Sequence, residues 1–516
     1  MIPQSRPGRY VGHTPSPTAS AASGVWTLRE HESYVAASLW PGKELLFAFD
    51  GTGSGVISLG SGPFATRLLY VGSGATTSRV VDLCGTTGGG IIESSGTGPL
   101  VFSEDMTVSV EGEKTLTLTG SNTAANAIAS IPASSVSLVK SGSGRWVLTE
   151  ASYYTGSATI AGGTLVIGVN ARKGYGLGSG ALGAGYAGVT VGDESPAASG
   201  SARLLMAEGV RLDGLLRIPP LGEGATQSVA IGGDNASGVS KFPAAATSPS
   251  ATNYLLTGRD FSVIAKTGGV FEFGVTLNNY DGSYLPDADV TLGGAGFGGT
   301  IKVTGYISTL GQIKAVSGVV EQSSSSGGLS AGEGMTVDGA EVRFNRGLAW
   351  AGGALQLQSG IISGGDEIFA DETPVVFGTA AIASPGNPIG TQDYSCGAEF
   401  ASGGTLRWHL ADWDGSGSQF SATGGLSVTA TTGAKFTIEI VGITGDSYPI
   451  TEGAIANWDN SESKSFTIAT SSALTGFAAG KFAIDHSRFS DNNSLGGGSW
   501  SVSASGNDIV LTFTHA

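Results

Sequence analysis

The sequence predicts an all-β fold: a right-handed β-helix or β-solenoid, with a short N-terminal arm and helix before it and a β-sandwich-like unit after it. Three observations support this prediction. Residues 138–168 contain short alternating strands between Gly-rich turns, glycine supplies 85 of the 516 residues, and charged residues make up only 13%. Many short strands joined by tight turns need glycine at this density, because glycine adopts turn conformations that other residues disfavour.

The stretch from residue 138 to 168 reads as three strands in about the length of one solenoid coil. Trp146 and Leu148 share one face of a strand, because successive side chains in a strand point to opposite sides. The same alternation returns after each of the later turns. The apolar positions of those later strands are Ala158, Ile160, Leu165 and Ile167.

This stretch resembles the autotransporter-associated β-strand repeat. The usual form of that repeat is a Lys-x-Gly-x-Gly-x-Leu-x-Leu strand, a Tyr-x-Gly turn and a Gly-Thr-Leu-x-Ile/Leu-Gly strand. The corresponding residues here are Lys140, Gly142, Gly144, Trp146, Leu148, Tyr154, Gly156, Gly163, Thr164, Leu165, Ile167 and Gly168. The resemblance implies a stacked β fold and carries no information about chemistry.

Residues 44–401 are predicted to form the shaft of the solenoid. Short alternating segments recur there, in strand-and-turn units of roughly 20 to 25 residues, as a solenoid coil requires. Examples are the segments 115–119, 188–192, 269–274, 290–293, 300–304 and 354–358.

Residues 1–43 are predicted to form a flexible arm and a short helix. The first part is rich in Pro, Ser and Ala without any period. Thr27 followed by Glu30 fits a capping box, Val35 and Leu39 then fall on one side of a helix, and Pro41 ends it. One interpretation is that this helix caps the first coil.

A second interpretation of the N-terminal segment comes from its signature, Gly-x-Trp-x-Leu-x-Glu followed by Trp-Pro. The signature is similar to the opening of many virion structural and tail-fibre proteins of aquatic bacteriophages. It is supplied by Gly24, Trp26, Leu28, Glu30, Trp40 and Pro41. The resemblance implies that these residues dock on other virion proteins, that the protein is located on the virion tail or capsid surface, and that it is a homotrimer.

Residues 402–516 read as a distinct C-terminal β domain with strand-like segments at 405–410, 436–440, 465–469 and 500–504. This region resembles the C-terminal region of repeat proteins on the surfaces of verrucomicrobial and planctomycetal bacteria. The resemblance keeps a bacterial surface adhesin open as an alternative.

Charge and targeting patterns limit the classes of partner. The net charge of −16 argues against binding nucleic acid, which needs a concentrated basic stripe. The first ten residues lack the apolar core of a secretory signal, and no run of eighteen apolar residues predicts a membrane-spanning helix. We therefore expect no membrane insertion, and a virion protein released by lysis needs no export signal.

No catalytic, cofactor or metal site is predicted. The five histidines show no ligand spacing. Paired carboxylates could act as the catalytic acid and base or nucleophile of a polysaccharide-cleaving tailspike. Each candidate pair lies beside glycine or proline, however, and a carboxylate in such a turn ordinarily accepts a hydrogen bond from its own backbone. The candidates are Asp281, Asp287 and Asp289; Asp366 and Glu367; and Asp412 and Asp414.

Turn aromatics are the candidates for sugar recognition. Tyr280 and Tyr284 lie in the segment Asn-Asn-Tyr-Asp-Gly-Ser-Tyr, in a predicted turn where binding residues tend to lie. The two rings could contact a host cell-surface glycan or lie inside the coil.

The sequence thus favours a non-enzymatic virion component: a tail fibre or tailspike that acts as a spacer and contacts the host. Three alternatives stay open. They are a bacterial surface adhesin of the autotransporter-repeat type, a capsid decoration protein, and a polysaccharide depolymerase on the same scaffold.

Overall fold

The structure, a computed structural model, consists almost entirely of β-strands. It describes the backbone of 25–27, 34–35 and 45–48, and residues 56–60, 62–171, 180–183, 188–243, 253–279, 286–322, 328–345, 353–365, 367–368, 373–415, 417–445 and 450–516. Two compact units are present, one up to residue 259 and one from residue 260 onward. Long parallel sheets in both units confirm the predicted β-solenoid.

The strands of the first unit belong to three parallel sheets. The first sheet contains Val25–Thr27, Leu45–Ala48, Thr66–Tyr70, Gly90–Ser94, Lys114–Thr119, Val136–Lys140, Ala158–Ile160, Val189–Val191, Leu215–Ile218 and Tyr254–Thr257. The second contains Ala75–Thr77, Leu100–Phe102, Asn126–Ile128, Arg145–Leu148, Gly163–Ile167, Ser201–Met206, Ser228–Gly233 and Val239–Phe242. The third contains Tyr34–Val35, Ile57–Leu59 and Val81–Leu83.

The register of these sheets shows how long one coil is around the recognised repeat. Leu138 pairs with Ala158, twenty residues later, and Trp146 pairs with Leu165, nineteen residues later. The stretch 138–168 therefore spans two successive coils with two strands each, and the prediction of three strands in one coil is wrong. The reason is that Ala158–Ile160 returns to the sheet of Val136–Lys140 instead of starting a third face.

The second unit is also built from short, mostly parallel strands. Its strands are Phe261–Ala265, Val270–Phe273, Thr276–Asn279, Val290–Leu292, Thr300–Val303, Tyr306–Thr309, Ile313–Ala315, Val319–Gln322, Gly328–Ala331, Met335–Phe344, Leu355–Gly364, Glu367–Ile368, Val375–Phe377, Ala381–Pro385, Thr391–Tyr394, Ala398–Phe400, Thr405–Leu410, Gln419–Ala422, Leu426–Val428, Phe436–Gly442, Lys464–Ser471, Leu474–Thr475, Phe482–Asp485, Ser499–Ser505 and Asp508–Thr514. A 3-10 turn at Ala479–Lys481 and a short α-helix at Ser487–Ser490 are the helices of the described chain. Neither is long enough to span a membrane.

The C-terminal end of the second unit differs from the expected β-sandwich-like domain. Thr405–Leu410 pairs in parallel with both Ala381–Pro385 and Phe436–Gly442, so the stacked sheet continues across residue 402. Asp508–Thr514 pairs antiparallel with both Lys464–Ser471 and Ser499–Ser505. The individual strands of a stack and of a sandwich have the same alternation, and their pairing direction is not visible in the sequence.

The N-terminal helix prediction is wrong where the structure describes that segment. Tyr34–Val35 is a strand paired in parallel with Ile57–Ser58, and Val25–Thr27 is a strand paired with Leu46–Ala48. Tyr and Val are residue types that favour strands, and pairing with a neighbouring coil outweighs a weak local capping signal.

The core of each unit lies inside the coils. Apolar residues occupy alternate positions of most strands and are buried, as in Val136–Lys140, where positions 136, 138 and 140 are buried and 137 and 139 are half-buried. This alternation gives most strands one inward face and one outward face, so a binding surface would be built from outward strand residues and turns.

Candidate contact surface

The residues predicted for docking and glycan contact cannot be placed in a site. Leu28, Glu30, Trp40, Pro41, Tyr280 and Tyr284 all lie outside the described residues. Trp26 lies in the strand Val25–Thr27 opposite Phe47, with its backbone alone described. The docking and glycan roles of these residues therefore stay predictions.

Lys140 of the recognised repeat is buried between two coils and hydrogen-bonds to both of them. Its side chain is buried, and its Nζ donates hydrogen bonds to the carbonyl oxygens of Ser141 (2.5 Å), Gly142 (3.1 Å) and Gly162 (2.9 Å). Burial lowers the pKa of Lys140 to about 7, since a low-dielectric interior disfavours the charged amine. The lysine ties the turn of one coil to the turn of the next.

The glycines of the same turns allow the coils to approach closely. Gly142 has φ of 66° and Gly163 has φ of 68°, values that L side chains rarely adopt. A Cβ on Gly163 would lie 2.4 Å from the carbonyl oxygens of Gly142 and Gly144. The Lys-x-Gly-x-Gly pattern is thus explained by stacking, and these residues do not form a ligand site.

The carboxylate at Asp289 is part of the coil-to-coil framework. Its oxygens accept hydrogen bonds from Lys314 Nζ (2.6 Å) and Gln312 N (2.9 Å), both on the following coil. Burial raises the pKa of Asp289, but Lys314 and Gln312 outweigh it, so the pKa lies below its usual value. A general acid needs a raised pKa, so Asp289 is unsuited to that role.

Asp412 and Asp414 lie in a turn that holds its own backbone. Asp412 Oδ1 accepts from Asp414 N (3.0 Å) and from Asn457 Nδ2 (2.9 Å). Asp414 Oδ1 accepts from Lys464 Nζ at 3.3 Å.

Of the other candidate carboxylates, Asp281 and Asp366 lie outside the described residues, whereas Asp287 and Glu367 are described and exposed. Among the residues that the structure describes, no group of three or more His, Cys, Asp or Glu side chains is placed to hold a metal ion.

One outward column of the second unit carries alternating charges. Glu272, Lys302, Glu321 and Arg343 occupy paired positions on four successive strands. Arg343 lies 3.5 Å from Glu321 and 2.8 Å from Glu341. A pairing that skipped one strand would bring like charges together, which disfavours that pairing. The column therefore favours the observed register.

A second charged cluster lies where the stack meets its antiparallel end. Glu439 Oε2 is 2.5 Å from Arg407 Nε and 3.1 Å from Arg488 Nη1, and Arg488 Nε is 3.2 Å from Glu452 Oε2. The two arginines and two glutamates balance in charge and are paired with one another. The cluster fastens the short helix Ser487–Ser490 and the segment around Glu452 onto the sheet.

His409 lies beneath this cluster. It is buried, its backbone N–H donates to Ser418 Oγ (3.0 Å), and its Nδ1 has no hydrogen-bond partner among the described residues. Burial first, and then Arg407 and Arg488, lower the pKa of His409 to about 4. A neutral, enclosed imidazole of this kind is part of the packing, and nothing in its described surroundings points to catalysis.

Exposed apolar side chains are the remaining feature that could contact a partner. They are Val56, Phe64, Val71, Tyr153, Leu221, Tyr306, Leu310 and Val376. Tyr306 has the largest exposed fraction of these, 57%. Sequence reasoning missed Tyr306; the usable signal was the alternation in Tyr-Ile-Ser-Thr-Leu, which places Tyr306 opposite the buried Ile307.

The comparisons with known proteins agree with this structure. A family model described as the passenger-associated-transport-repeat matches residues 138–167. The adhesin BmaC autotransporter of Brucella suis biovar 1 (strain 1330) is 36% identical over 110 residues, which are 20% of this chain and 3% of that protein. The chain therefore shares a repeat with autotransporter passengers and spans a small fraction of the relative's length.

Proposed function

We propose that the chain is part of a bacterial surface adhesin whose stacked coils act as a stiff spacer and display a contact surface. The observation that carries the proposal is the repeat at 138–167, which matches the passenger repeat and forms two hydrogen-bonded coils here. The similarity to an autotransporter adhesin supports the bacterial cell surface as its location.

A hydrogen-bonded stack suits the spacer role. Each coil contributes strands to several parallel sheets, so bending the stack would break backbone bonds on more than one face. A flexible linker has no such bonds and collapses to a short mean length. Rigidity is therefore the property of the described stack that supports the spacer role.

The virion interpretation receives less support. It depended on Trp26, Leu28, Glu30, Trp40 and Pro41, of which only the Trp26 backbone is described. The comparisons match autotransporter sequence. The homotrimer was inferred from the phage resemblance and stays a prediction, which sedimentation of the full chain can test.

Immunogold electron microscopy tests the proposal directly. Antibody against residues 255–400 is applied to intact, uninfected source cells and to phage particles from the same culture. We expect gold on the cell surface, and this labelling should disappear after mild protease treatment of whole cells. Gold confined to phage tails or heads would overturn the proposal in favour of a virion component.

Attachment is tested with the protein itself. Latex beads coated with the full chain are expected to adhere to surfaces or cells that the source bacterium colonises, above the level of beads coated with an unrelated acidic protein. Equal adhesion by both kinds of bead would contradict an adhesive role.

A further inference from the structure

Three described strands of the second unit form a surface without charged side chains of their own. Its strands Thr276–Asn279, Tyr306–Thr309 and Gly328–Ala331 contain no charged residue. The strands that precede the first two in the same coils, Val270–Phe273 and Thr300–Val303, each present a charge outward. In a chain of net charge −16, this face differs from the surface beside it.

The outward side of this face is polar except for one aromatic ring and one leucine. Ile307 and Thr309 point inward and are buried, so Tyr306, Ser308 and Leu310 point outward. Ser308 pairs with Ser330 on the next coil. Thr276 and Asn278 are outward on the adjacent strand. We call the outward residues Thr276, Asn278, Tyr306, Ser308, Leu310 and Ser330 the Tyr306 face.

The Tyr306 ring lies over Gly328 of the next coil. Tyr306 pairs with Gly328, and a Cβ on Gly328 would lie only 2.9 Å from Tyr306 Cε1. The ring therefore lies against the strand in space that a glycine leaves free.

We infer that the Tyr306 face binds a neutral glycan. A pyranose ring has an apolar C–H side that stacks on an aromatic ring, and hydroxyl groups at its rim that bond to hydroxyl and amide side chains. Tyr306 supplies the stacking surface, and Ser308, Ser330 and Asn278 supply polar groups beside it. The absence of charge on these three strands disfavours an anionic ligand, because no cation is present there to pair with it.

A neutral glycan fits this face better than a protein partner. A stable protein interface buries about 800 Å² on each side around a cluster of aromatic and apolar anchors. This face presents one aromatic ring and one leucine on a stacked sheet surface. The inference rests on the proposed adhesive function, for which it names the class of ligand.

The test is binding of the full chain to a printed array of neutral and acidic oligosaccharides. We expect binding to neutral glycans, and at least a tenfold loss of apparent affinity in Tyr306→Ala. Tyr306→Phe keeps the ring and should retain binding, whereas Gly328→Ala displaces the ring and should weaken it. Tyr153→Ala is the matched control, because Tyr153 is 46% exposed in the first unit.

Three outcomes would overturn the inference. They are binding of the wild-type chain to acidic glycans alone or to none, unchanged binding by Tyr306→Ala, and an equal loss in Tyr153→Ala. Bead adhesion separates this inference from the proposed function. Equal adhesion of beads coated with wild type and with Tyr306→Ala would contradict glycan binding by the Tyr306 face but would leave the adhesive function supported. Failure of wild-type beads to adhere would contradict the adhesive function itself.

Discussion

The interiors of the two units are filled differently. In the described chain, the buried Lys, Arg and Asp side chains all belong to the first unit; they are Arg79, Asp82, Lys114, Lys140 and Arg259. The second unit buries more aromatic side chains than the first, and several of them stack. Phe400 lies 4.2 Å from Phe436 between ring centroids, and Tyr394 lies 4.7 Å from Phe420.

This difference shows two ways to keep coils in register. In the first unit, buried polar groups bridge neighbouring coils: Asn126 accepts from Leu100 N (2.8 Å) on one side and donates to Arg145 O (2.8 Å) on the other. Such bonds have directional geometry and specify a partner. The second unit has such bonds as well, for example from Gln392 Nε2 to Ser363 O (3.0 Å). Aromatic packing, which has less directional geometry, fills more of its interior, and outward charges such as Glu321 and Arg343 favour one pairing.

The largest expected effect comes from removing a ring of the aromatic stack. Phe400→Ala should lower the free energy of unfolding of the second unit by about 3–5 kcal/mol, because it removes apolar burial and leaves a cavity between Phe420 and Phe436. Chemical denaturation followed by hydrogen exchange in each unit measures this. Phe64→Ala, at a ring that is 48% exposed, is the control, and an equal loss in both variants would contradict the assignment.

Acid should weaken the second unit through His409. The folded-state pKa of about 4 lies below the unfolded value of about 6.5. The unfolded chain therefore binds more protons between these values, and stability present above pH 6.5 is lost as the pH falls towards 4, by up to about 3 kcal/mol. Urea unfolding at several pH values, followed by hydrogen exchange in the second unit, measures this slope.

Variants at two histidines separate this effect from general acid sensitivity. His409→Leu should remove most of the slope. His515→Gln, at an exposed position, should leave it unchanged. A His409→Leu protein with the wild-type slope would show that another group is responsible.

Lys140→Met tests the buried ties of the first unit. The variant keeps an apolar stem but leaves the carbonyls of Ser141, Gly142 and Gly162 without their donor. We expect a loss of about 1–3 kcal/mol in the stability of the first unit. Lys435→Met removes a charge at an exposed position and should change stability by less than about 0.5 kcal/mol. If the two variants were equally stable, the hydrogen bonds of Lys140 would make no measurable contribution to stability.

The smallest expected effect concerns the charged column. Arg343→Glu places a carboxylate beside Glu321 and Glu341 and should lower stability by about 1 kcal/mol, less at high salt because ions screen the repulsion. The exchanged pair Glu321→Arg with Arg343→Glu should recover part of the loss. If the double variant were no more stable than Arg343→Glu, the charged column would not favour the observed strand register.

The sequence was sufficient to predict the stacked β fold, and the structure shows why. Inward residues such as Trp146 and Leu148 alternate strictly, and glycines such as Gly142 and Gly163 are required by close approach of the turns. These are local patterns. The number of strands per coil was predicted wrongly, because it depends on which sheet Ala158–Ile160 rejoins, and pairing between coils has no local signature.

The candidate surface could not be predicted in the same way. Tyr306 is a binding candidate because Gly328 leaves room for its ring one coil later, and that relation joins residues twenty-two positions apart. Tyr280 and Tyr284 were selected by their turn context, and their side chains lie outside the described residues. The C-terminal sandwich was wrong for a similar reason, since parallel and antiparallel strands such as Phe436–Gly442 and Asp508–Thr514 have the same alternation.

The twenty-residue register between Val139 and Thr159 has a consequence for how such a chain can change in length over time. Because a coil touches only the coils on either side of it, a gene duplication of twenty codons within this segment adds one complete coil and about 4.8 Å of height. Insertions of other sizes have to be accommodated in the turns, as in the next coil, where Thr159 pairs with Thr190, thirty-one residues later. The solenoid can therefore lengthen in this region by whole coils, while the surfaces carried elsewhere on the chain keep their chemistry.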